Sequence, residues 1–416
     1  MTYTPSSAPN KAVDPLETRR TYTRGPPRPQ LLLVLNIVTI RRKTLLLLLL
    51  LSFFLWRKMT PTPPAGALGA NFNEHLTWIN HDELRRVKSQ WVRGFIDMHQ
   101  VDSANLANDP NLQSLFAARD AGFNTILSFK WNYKDNDFPH HGSQGHLAEL
   151  ECFTTVLAHV MGQVDILVIG NEPYIEAKPG CGQHLNNFYE TMAETAISIK
   201  NATPRFAPKH TKLYMGSLNR LDLPVKRTPS IERMLAYIAS QPDLAGVDLH
   251  LHMPKLDAHR EMLSYALSRL RPDQTFLATE FSIVWHFKRH MGDAANADFC
   301  AKHGFPPGTK VHQVLSRGIQ EPYEYAVWEE FLRGERWYAS RTGFLGRAME
   351  LYRSTGRLEV ATYGFCPMRF RKRAVEVGDT PWMLNGVYAP NMVKVPEGGE
   401  RCLNFPWGRE FEKAQR

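Results

Sequence analysis

Short apolar runs alternate with amphipathic stretches along most of this chain, from about Leu68 to the C-terminus. Eight runs rich in β-branched, leucine and aromatic residues predict strands, and the run before Gly170 is apolar enough to be buried on both faces of a parallel sheet. The predicted strands are Leu68–Phe72, Trp91–Met98, Asn124–Lys130, Val164–Ile169, Lys212–Ser217, Gly246–His252, Thr275–Glu280 and Leu358–Phe365.

Between these runs, apolar residues recur at the spacing of a helix. Asp109 and Pro110 mark one helix start, because aspartate caps free backbone N–H groups and proline suits the first turn; Gly122 ends that helix. Further helices are predicted at Asp82–Lys88, Leu147–Val160, Leu185–Ile199, from Ser230 onward, and at Met262–Leu270, Tyr325–Tyr338, Leu345–Tyr352 and Asp379–Leu384.

Eight strands that each precede a helical segment predict an α/β fold of the (β/α)8 or TIM-barrel type, spanning residues 68–416. A doubly wound open sheet is the competing interpretation. That fold is less favoured here because no G-x-G-x-x-G motif follows the first strand. In both folds the ligand lies at the carboxyl ends of the strands.

The first 67 residues differ from the rest. Residues 1–43 are polar and basic and are predicted to be a disordered cytoplasmic tail. Residues 44–56 include seven consecutive leucines flanked by basic residues, which predicts a signal anchor; a cleaved signal peptide is the alternative, because the run is short. Residues 57–67 form a proline-rich linker. The domain is therefore expected to be extracytoplasmic, either membrane-anchored in a single pass or secreted.

Charge and cysteine content narrow the function classes. The net charge is +9, and residues 1–60 contain ten basic and two acidic residues, so the predicted barrel is nearly neutral. A nucleic-acid-binding domain carries its basic residues on the fold, which excludes nucleic acid as a partner. The five cysteines form no C-x-x-C motif, so a zinc cluster is not expected; one or two disulfides stay open.

Two acidic residues follow predicted strands. Glu172, within Asn171-Glu172-Pro173, follows the fourth strand, and Glu280 ends the seventh. In a closed barrel these strand ends face each other across the mouth. Glycoside hydrolysis requires such a pair, since one carboxyl group protonates the leaving oxygen while the other attacks the sugar carbon or positions water.

Asn-Glu-Pro after strand four together with Glu on strand seven resembles the signature of clan A retaining glycoside hydrolases. The resemblance implies that Glu172 is the acid/base, that Glu280 is the nucleophile and that Asn171 binds the sugar 2-hydroxyl. It also implies that Arg93, near the end of strand two, keeps Glu280 ionised while Glu172 stays protonated. The residues around Arg93 most resemble family 39 of these enzymes.

One position departs from the clan pattern. The clan often has His-x-Tyr at the end of strand six, whereas this chain has His250-Leu251-His252, so that His252 occupies the tyrosine position beside the nucleophile. Aromatic residues near strand ends are candidates for stacking on sugar rings, chiefly Trp131, Tyr174 and Trp285. The substrate is expected to be an oligo- or polysaccharide, with no cofactor and no metal.

Two other functions stay open. The first alternative is a metal-dependent hydrolase, because amidohydrolase-type barrels also contain His-x-His. In those barrels the motif lies on strand one, whereas here it lies on strand six. The second is a membrane-tethered barrel that binds carbohydrate without cleaving it. The sugar, its linkage and the choice between internal and terminal cleavage are not determined by the sequence.

Overall fold

A computed structural model describes residues 66–415, apart from 205, 206, 208, 367–373 and 398. The predicted tail (1–43), signal anchor (44–56) and most of the linker (57–67) lie outside these residues. Within the described part of the chain, no helix combines the length and the apolarity needed to cross a membrane. The linker ends earlier than predicted, because Ala67 already belongs to the first strand.

Eight parallel strands close into a barrel in the order β1 to β8, which confirms the predicted (β/α)8 fold and excludes the open sheet. Closure is made by β1 and β8, which pair from Ala67 with Val360 through Asn71 with Gly364. The strands are β1 Ala67–Asn71, β2 Trp91–Asp97, β3 Asn124–Lys130, β4 Ile166–Ile169, β5 Lys212–Asn219, β6 Leu244–Leu251, β7 Thr275–Phe281 and β8 Leu358–Gly364.

Side chains alternate between the inside of the barrel and the helical shell. Trp91, Ile126, Ile166, Tyr214 and Leu277 belong to one small apolar cluster that fills the interior. Their outward neighbours join the larger core between strands and helices. Because each buried aliphatic side chain contributes about 1.5–3 kcal/mol, both layers favour the closed ring.

The helices surround the barrel. Asp109 caps the second helix as predicted, since its carboxylate accepts from the backbone N–H groups of Asn111 and Leu112. The helices are α1 His81–Arg86, α2 Pro110–Asp120, α3 Gln144–Val160, α4 Gly182–Ala202, α5 Pro229–Ser240, α6 Leu256–Leu267, α7 Val284–Arg289, α8 Ala297–Lys302, α9 Val311–Gln320, α10 Tyr325–Gly334, α11 Arg336–Ala339, α12 Phe344–Ser354 and α13 Trp407–Ala414.

The end of the chain differs from the prediction. Residues 379–384 do not form a closing helix; only Trp382–Leu384 form a short 3-10 turn, because Pro381 disfavours the helical conformation at Thr380 just before it. The last helix is α13, which buries Trp407, Phe411 and Ala414 at helical spacing.

Four cysteines that could have formed disulfides are free thiols, namely Cys152, Cys181, Cys300 and Cys402.

Candidate active site

Glu172 stands at a sharp bend just beyond β4. Gly170 has φ +114°, and a Cβ there would lie 2.9 Å from the carbonyl oxygen of Gly216, so only glycine fits. Glu172 itself has φ +52°, a conformation that costs a non-glycine residue free energy. The bend turns its largely buried carboxylate back over the barrel mouth.

Glu280 reaches the same mouth through an irregularity of β7. His250 on β6 is in register with Glu280, whereas Asp248, two residues earlier on β6, is in register with Leu277, three residues earlier on β7. The extra residue on β7 is a bulge, which reorients the side chains that follow it. As a result, Thr279 and Glu280 both contact groups of β6 at the carboxyl end of the barrel.

Arg93 lies fully buried beneath the two acids. Its guanidinium donates to Oε1 of Glu280 at 2.7 Å and to Oδ1 of Asn171 at 2.6 Å. It also donates to the side chains of Asn71, Asn73 and Ser128. The structure thus places Arg93 against Glu280, as the sequence predicted, and fixes the amide of Asn171 with the same cation.

His250 connects the two carboxyl groups. Its Nδ1 lies 3.0 Å from Oε1 of Glu172, and its Nε2 lies 3.8 Å from Oε1 of Glu280. Nε2 also contacts the hydroxyl of Thr279 at 3.1 Å. The amide of Asn219 donates to the same oxygen of Glu172 at 3.2 Å. Both acids therefore lie within 4 Å of one imidazole ring.

His252 supports Glu280 from the other side. Its Nε2 is 3.4 Å from Oε2 of Glu280, and its Nδ1 lies 2.8 Å from the hydroxyl of Ser282. The ring of Trp382 packs edge-on against His252, with centroids 5.2 Å apart. His252 therefore occupies the position beside the nucleophile candidate that the sequence assigned to it.

The surroundings lower the pKa of both carboxyl groups. Burial raises the pKa of Glu280, but the charges of His250 and Arg93 and the contact with His252 outweigh burial and hold this pKa far below its ordinary value. Burial also raises the pKa of Glu172, while the hydrogen bond and charge of His250 bring it below its ordinary value.

The pKa of His250 shifts in the opposite direction. Burial lowers it, but the negative charge of Glu280 and the hydrogen bond to Glu172 outweigh burial and raise it above its ordinary value. This differs from the expectation that Glu172 alone carries a proton. The sequence analysis expected Glu172 to stay protonated, whereas its neighbour His250 lowers the pKa of Glu172.

Three side chains offer ligand atoms that a metal ion can use. Donor atoms of Glu172, His250 and His252 lie within 4.8 Å of one another. However, both ring nitrogens of His250 already have polar neighbours, and the Arg93 cation is 2.7 Å from the adjacent Glu280. The buried charge of Arg93 disfavours a metal cation nearby. The three side chains therefore fit proton chemistry better than metal binding.

A cleft of about 630 Å³, including its open mouth, reaches Glu280. Its walls come from the carboxyl ends of β1, β7 and β8 and from the segments after β1, β6 and β8. They comprise Asn71, Phe72, Asn73, Glu74, His75, His252, Glu280, Phe281, Gly364, Cys366, Trp382 and Asn385. A second groove, beginning two residues beyond Glu172, includes Tyr174. Trp382, which packs against His252 and lines the first cleft, was not selected by the sequence analysis.

The predicted aromatic residues have different surroundings. Trp131 is fully buried, and its indole N–H donates to Glu149. The prediction that Trp131 stacks on a sugar ring is therefore wrong. Tyr174 is partly buried, and its hydroxyl donates to the Ser230 carbonyl. Trp285 is half-buried, with the Lys288 ammonium 5.5 Å from its ring.

The sequence analysis missed the polar residues that support the acids, namely Asn71, Asn73, Ser128, Ser217, Asn219, Asp248, His250 and Thr279. For two of them a signal was present. Asp248 and His250 alternate along β6, which puts both on one face of the strand, and His252 continues the alternation just after its last residue. Ser217 and Thr279 depend on bulges, for which the sequence contains no reliable signal.

The sequence matches no protein-family model. No curated protein matches it either. Among solved structures, the catalytic core of a xylanase A is similar, with a TM-score of 0.50 and 12% identity over 84% of this chain and 97% of that one.

Two further similar structures have lower TM-scores. A GH10 endoxylanase from a sugarcane soil metagenome has a TM-score of 0.49 and 10% identity, over 83% of this chain and 97% of that one. A GH113 beta-1,4-mannanase has a TM-score of 0.43 and 9% identity, over 85% and 99%. At such identities the likeness shows the barrel fold alone, and the resemblance to family 39 stays a prediction.

Proposed function

We propose that this protein is a retaining glycoside hydrolase that cleaves O-glycosidic bonds, of β configuration, in an oligo- or polysaccharide. One observation carries the proposal. Two carboxyl groups from opposite sides of the barrel meet one imidazole, and one of them, Glu280, is held ionised by Arg93. An anionic nucleophile beside a proton-holding partner is what double displacement needs.

In the first step, Glu280 attacks the anomeric carbon while Glu172 gives a proton to the glycosidic oxygen. The carbon–oxygen bond breaks, the leaving sugar departs as an alcohol, and a glycosyl ester forms on Glu280. In the second step, Glu172 takes a proton from water, whose oxygen bonds to the same carbon and releases Glu280. Two inversions at the carbon retain the configuration.

The cleft walls suggest how a sugar is held. Trp382 offers an indole face beside His252, and pyranose rings stack well on such faces. Asn171 is fixed by Arg93, which leaves its amide N–H groups for a sugar hydroxyl. We extend the proposal to polysaccharides because xylanase A, whose catalytic core shares the barrel, is named for a polymer.

The test is hydrolysis of aryl β-glycosides and plant or microbial polysaccharides, with the anomeric signal of the first product followed by NMR. We expect the β anomer first, and Glu280→Gln, which keeps the side-chain size, to be inactive. A first product of the α anomer overturns the retaining mechanism. Sugar binding without turnover by the wild type supports the binding barrel, and activity that a chelator abolishes and zinc restores supports the metal-dependent hydrolase.

We further propose that the leucine-rich segment 44–56 carries the barrel out of the cytosol and anchors it in the membrane. Fractionation of cells that express the full chain tests this. Recovery of the barrel in the membrane fraction, digestible by protease added from outside, supports anchoring. Recovery in the medium indicates secretion, and protection in the cytosol contradicts the proposal.

A further inference from the structure

A chain of buried polar groups leads from Asp248 to Glu172. Asp248, on β6, is fully buried and accepts three hydrogen bonds: from the Thr279 backbone N–H at 3.1 Å, the Thr279 hydroxyl at 2.6 Å and the Ser217 hydroxyl at 2.5 Å. The carboxyl oxygens of Asp248 are the acceptors in all three contacts. Asp248 therefore takes the single hydroxyl hydrogen of Thr279.

That hydrogen fixes the tautomer of His250. Because the Thr279 hydroxyl donates to Asp248, its oxygen acts as acceptor toward Nε2 of His250 at 3.1 Å. Nε2 consequently carries a hydrogen. The other ring nitrogen, Nδ1, faces Oε1 of Glu172 at 3.0 Å, and a contact this short requires a hydrogen on one of the two atoms.

We propose that the proton delivered to the leaving group is held jointly by Glu172 and His250, with Thr279 and Asp248 as positioning residues that keep Nδ1 directed at Glu172. This inference rests on the proposed glycosidase function and deepens it. The proton lies either on Glu172, beside a neutral imidazole, or on His250, beside a carboxylate. Both forms have the same total charge, so the proton moves between them without a change in the net charge of the site.

The charges around His250 keep this proton in place. Glu280 on β7 and Asp248 on β6 each bring a carboxylate oxygen to 3.8 Å from Nε2. The ring centroids of His250 and His252 are 5.8 Å apart. Arg93, on β2, forms an ion pair with Glu280. The charges nearest the His250 ring are therefore those of carboxylates, and negative charge opposes the loss of the proton from the ring.

Losing the proton also removes a hydrogen bond. With Nε2 protonated and Nδ1 bare, the nitrogen lone pair faces the carboxylate oxygen of Glu172 at 3.0 Å. This repulsion makes the pair a stronger base after the first step than a lone glutamate is. In the second step the pair recovers its proton from the attacking water, while the hydroxyl oxygen bonds to the sugar carbon and Glu280 leaves.

The first experiment compares the pH dependence of kcat/KM for the full-length wild type and His250→Asn. An asparagine amide replaces the Nδ1 contact with Glu172 but does not titrate between pH 4 and 10. We expect the alkaline limb to move to lower pH by about one unit or more, with turnover of poor leaving groups falling at least about tenfold. An alkaline limb at the wild-type pH overturns the proposal.

The matched control is Thr279→Val, which removes the acceptor of Nε2 and keeps the size of the side chain. Without this acceptor the imidazole is free to place its hydrogen on either nitrogen. The alkaline limb is expected to shift in the same direction as in His250→Asn, by a smaller amount. A Thr279→Val profile that coincides with the wild type contradicts the positioning role of Thr279 and Asp248.

A second measurement does not need activity. Nitrogen-15 NMR of histidine-labelled protein, with the His250 signal assigned by its loss in His250→Asn, reports both ring nitrogens directly. We expect Glu172→Gln to lower the pKa of His250 and to leave Nε2 protonated. An unchanged titration refutes the shared proton. A wild type that cleaves no glycoside refutes the proposed function instead, so the two failures are distinguishable.

Discussion

Replacing Arg93 by methionine removes the cation beneath Glu280 without changing the size of the site greatly. The guanidinium is fully buried, and its loss leaves the Glu280 carboxylate without its 2.7 Å partner. Removing one partner of a buried ion pair costs about 3–5 kcal/mol. One pKa unit corresponds to about 1.4 kcal/mol, so even half of that cost raises the pKa of Glu280 by about one to two units.

The sign of the pH effect follows from the depressed pKa of Glu280. A group whose pKa is lower in the folded state stabilises the fold above its unfolded pKa, and this contribution is lost as the pH falls through the folded pKa. The variant lacks the part of this contribution that Arg93 supplies. Its deficit in unfolding free energy is therefore expected to be largest at neutral pH and to shrink toward strongly acidic pH.

The assay is kcat/KM against pH together with urea unfolding at several pH values. We expect the acid limb of Arg93→Met to move to higher pH, because Glu280 must be ionised to attack. Arg93→Lys is the matched control, since it keeps the charge but loses the forked hydrogen bonds to Asn171 and Ser128. An acid limb that stays in place in Arg93→Met refutes the role of Arg93 in ionising Glu280.

Three further predictions use other parts of the molecule. Glu172→Gln should lower turnover of poor leaving groups by about 10²–10⁴-fold, with added azide rescuing activated aryl glycosides; normal hydrolysis of a polysaccharide by this variant contradicts the acid/base role. Trp382→Ala should raise KM more than it lowers kcat, because the ring is proposed to stack on substrate; an unchanged KM removes it from the binding site. Asp109→Ala should lower the unfolding free energy by about 1 kcal/mol, measured in urea, with no change in kcat/KM, because the Asp109 carboxylate bonds to backbone N–H groups of α2.

The position of strand ends was sufficient to predict the two acids, because Glu172 follows β4 and Glu280 lies one residue before the end of β7. Arg93 was selected by the resemblance, and it lies nearer the amino end of β2 than the predicted position near the carboxyl end. The same logic does not distinguish the two faces of a strand. Trp131 follows Leu127 and Phe129 in the outward alternation of β3 and packs against Phe153 in the helical shell.

The contacts of Ser217 and Thr279 with Asp248 could not be predicted from the sequence, for a different reason. Ser217 and Thr279 contact Asp248 only because one extra residue in β5 and one in β7 shift the register against β6. A bulge of this kind is set by packing across three strands. The apolar pattern of a single strand therefore does not reveal it, although Gly216, at φ +120°, permits the bend.

The most direct test of the account is covalent trapping. The wild-type protein is incubated with a 2-deoxy-2-fluoro β-glycoside that has a good leaving group, and the adduct is located by mass spectrometry of peptides. The account predicts one glycosyl ester, on Glu280, and none in Glu280→Gln. If turnover proceeds with no adduct, or the label sits on Glu172 or another residue, the central claim is contradicted.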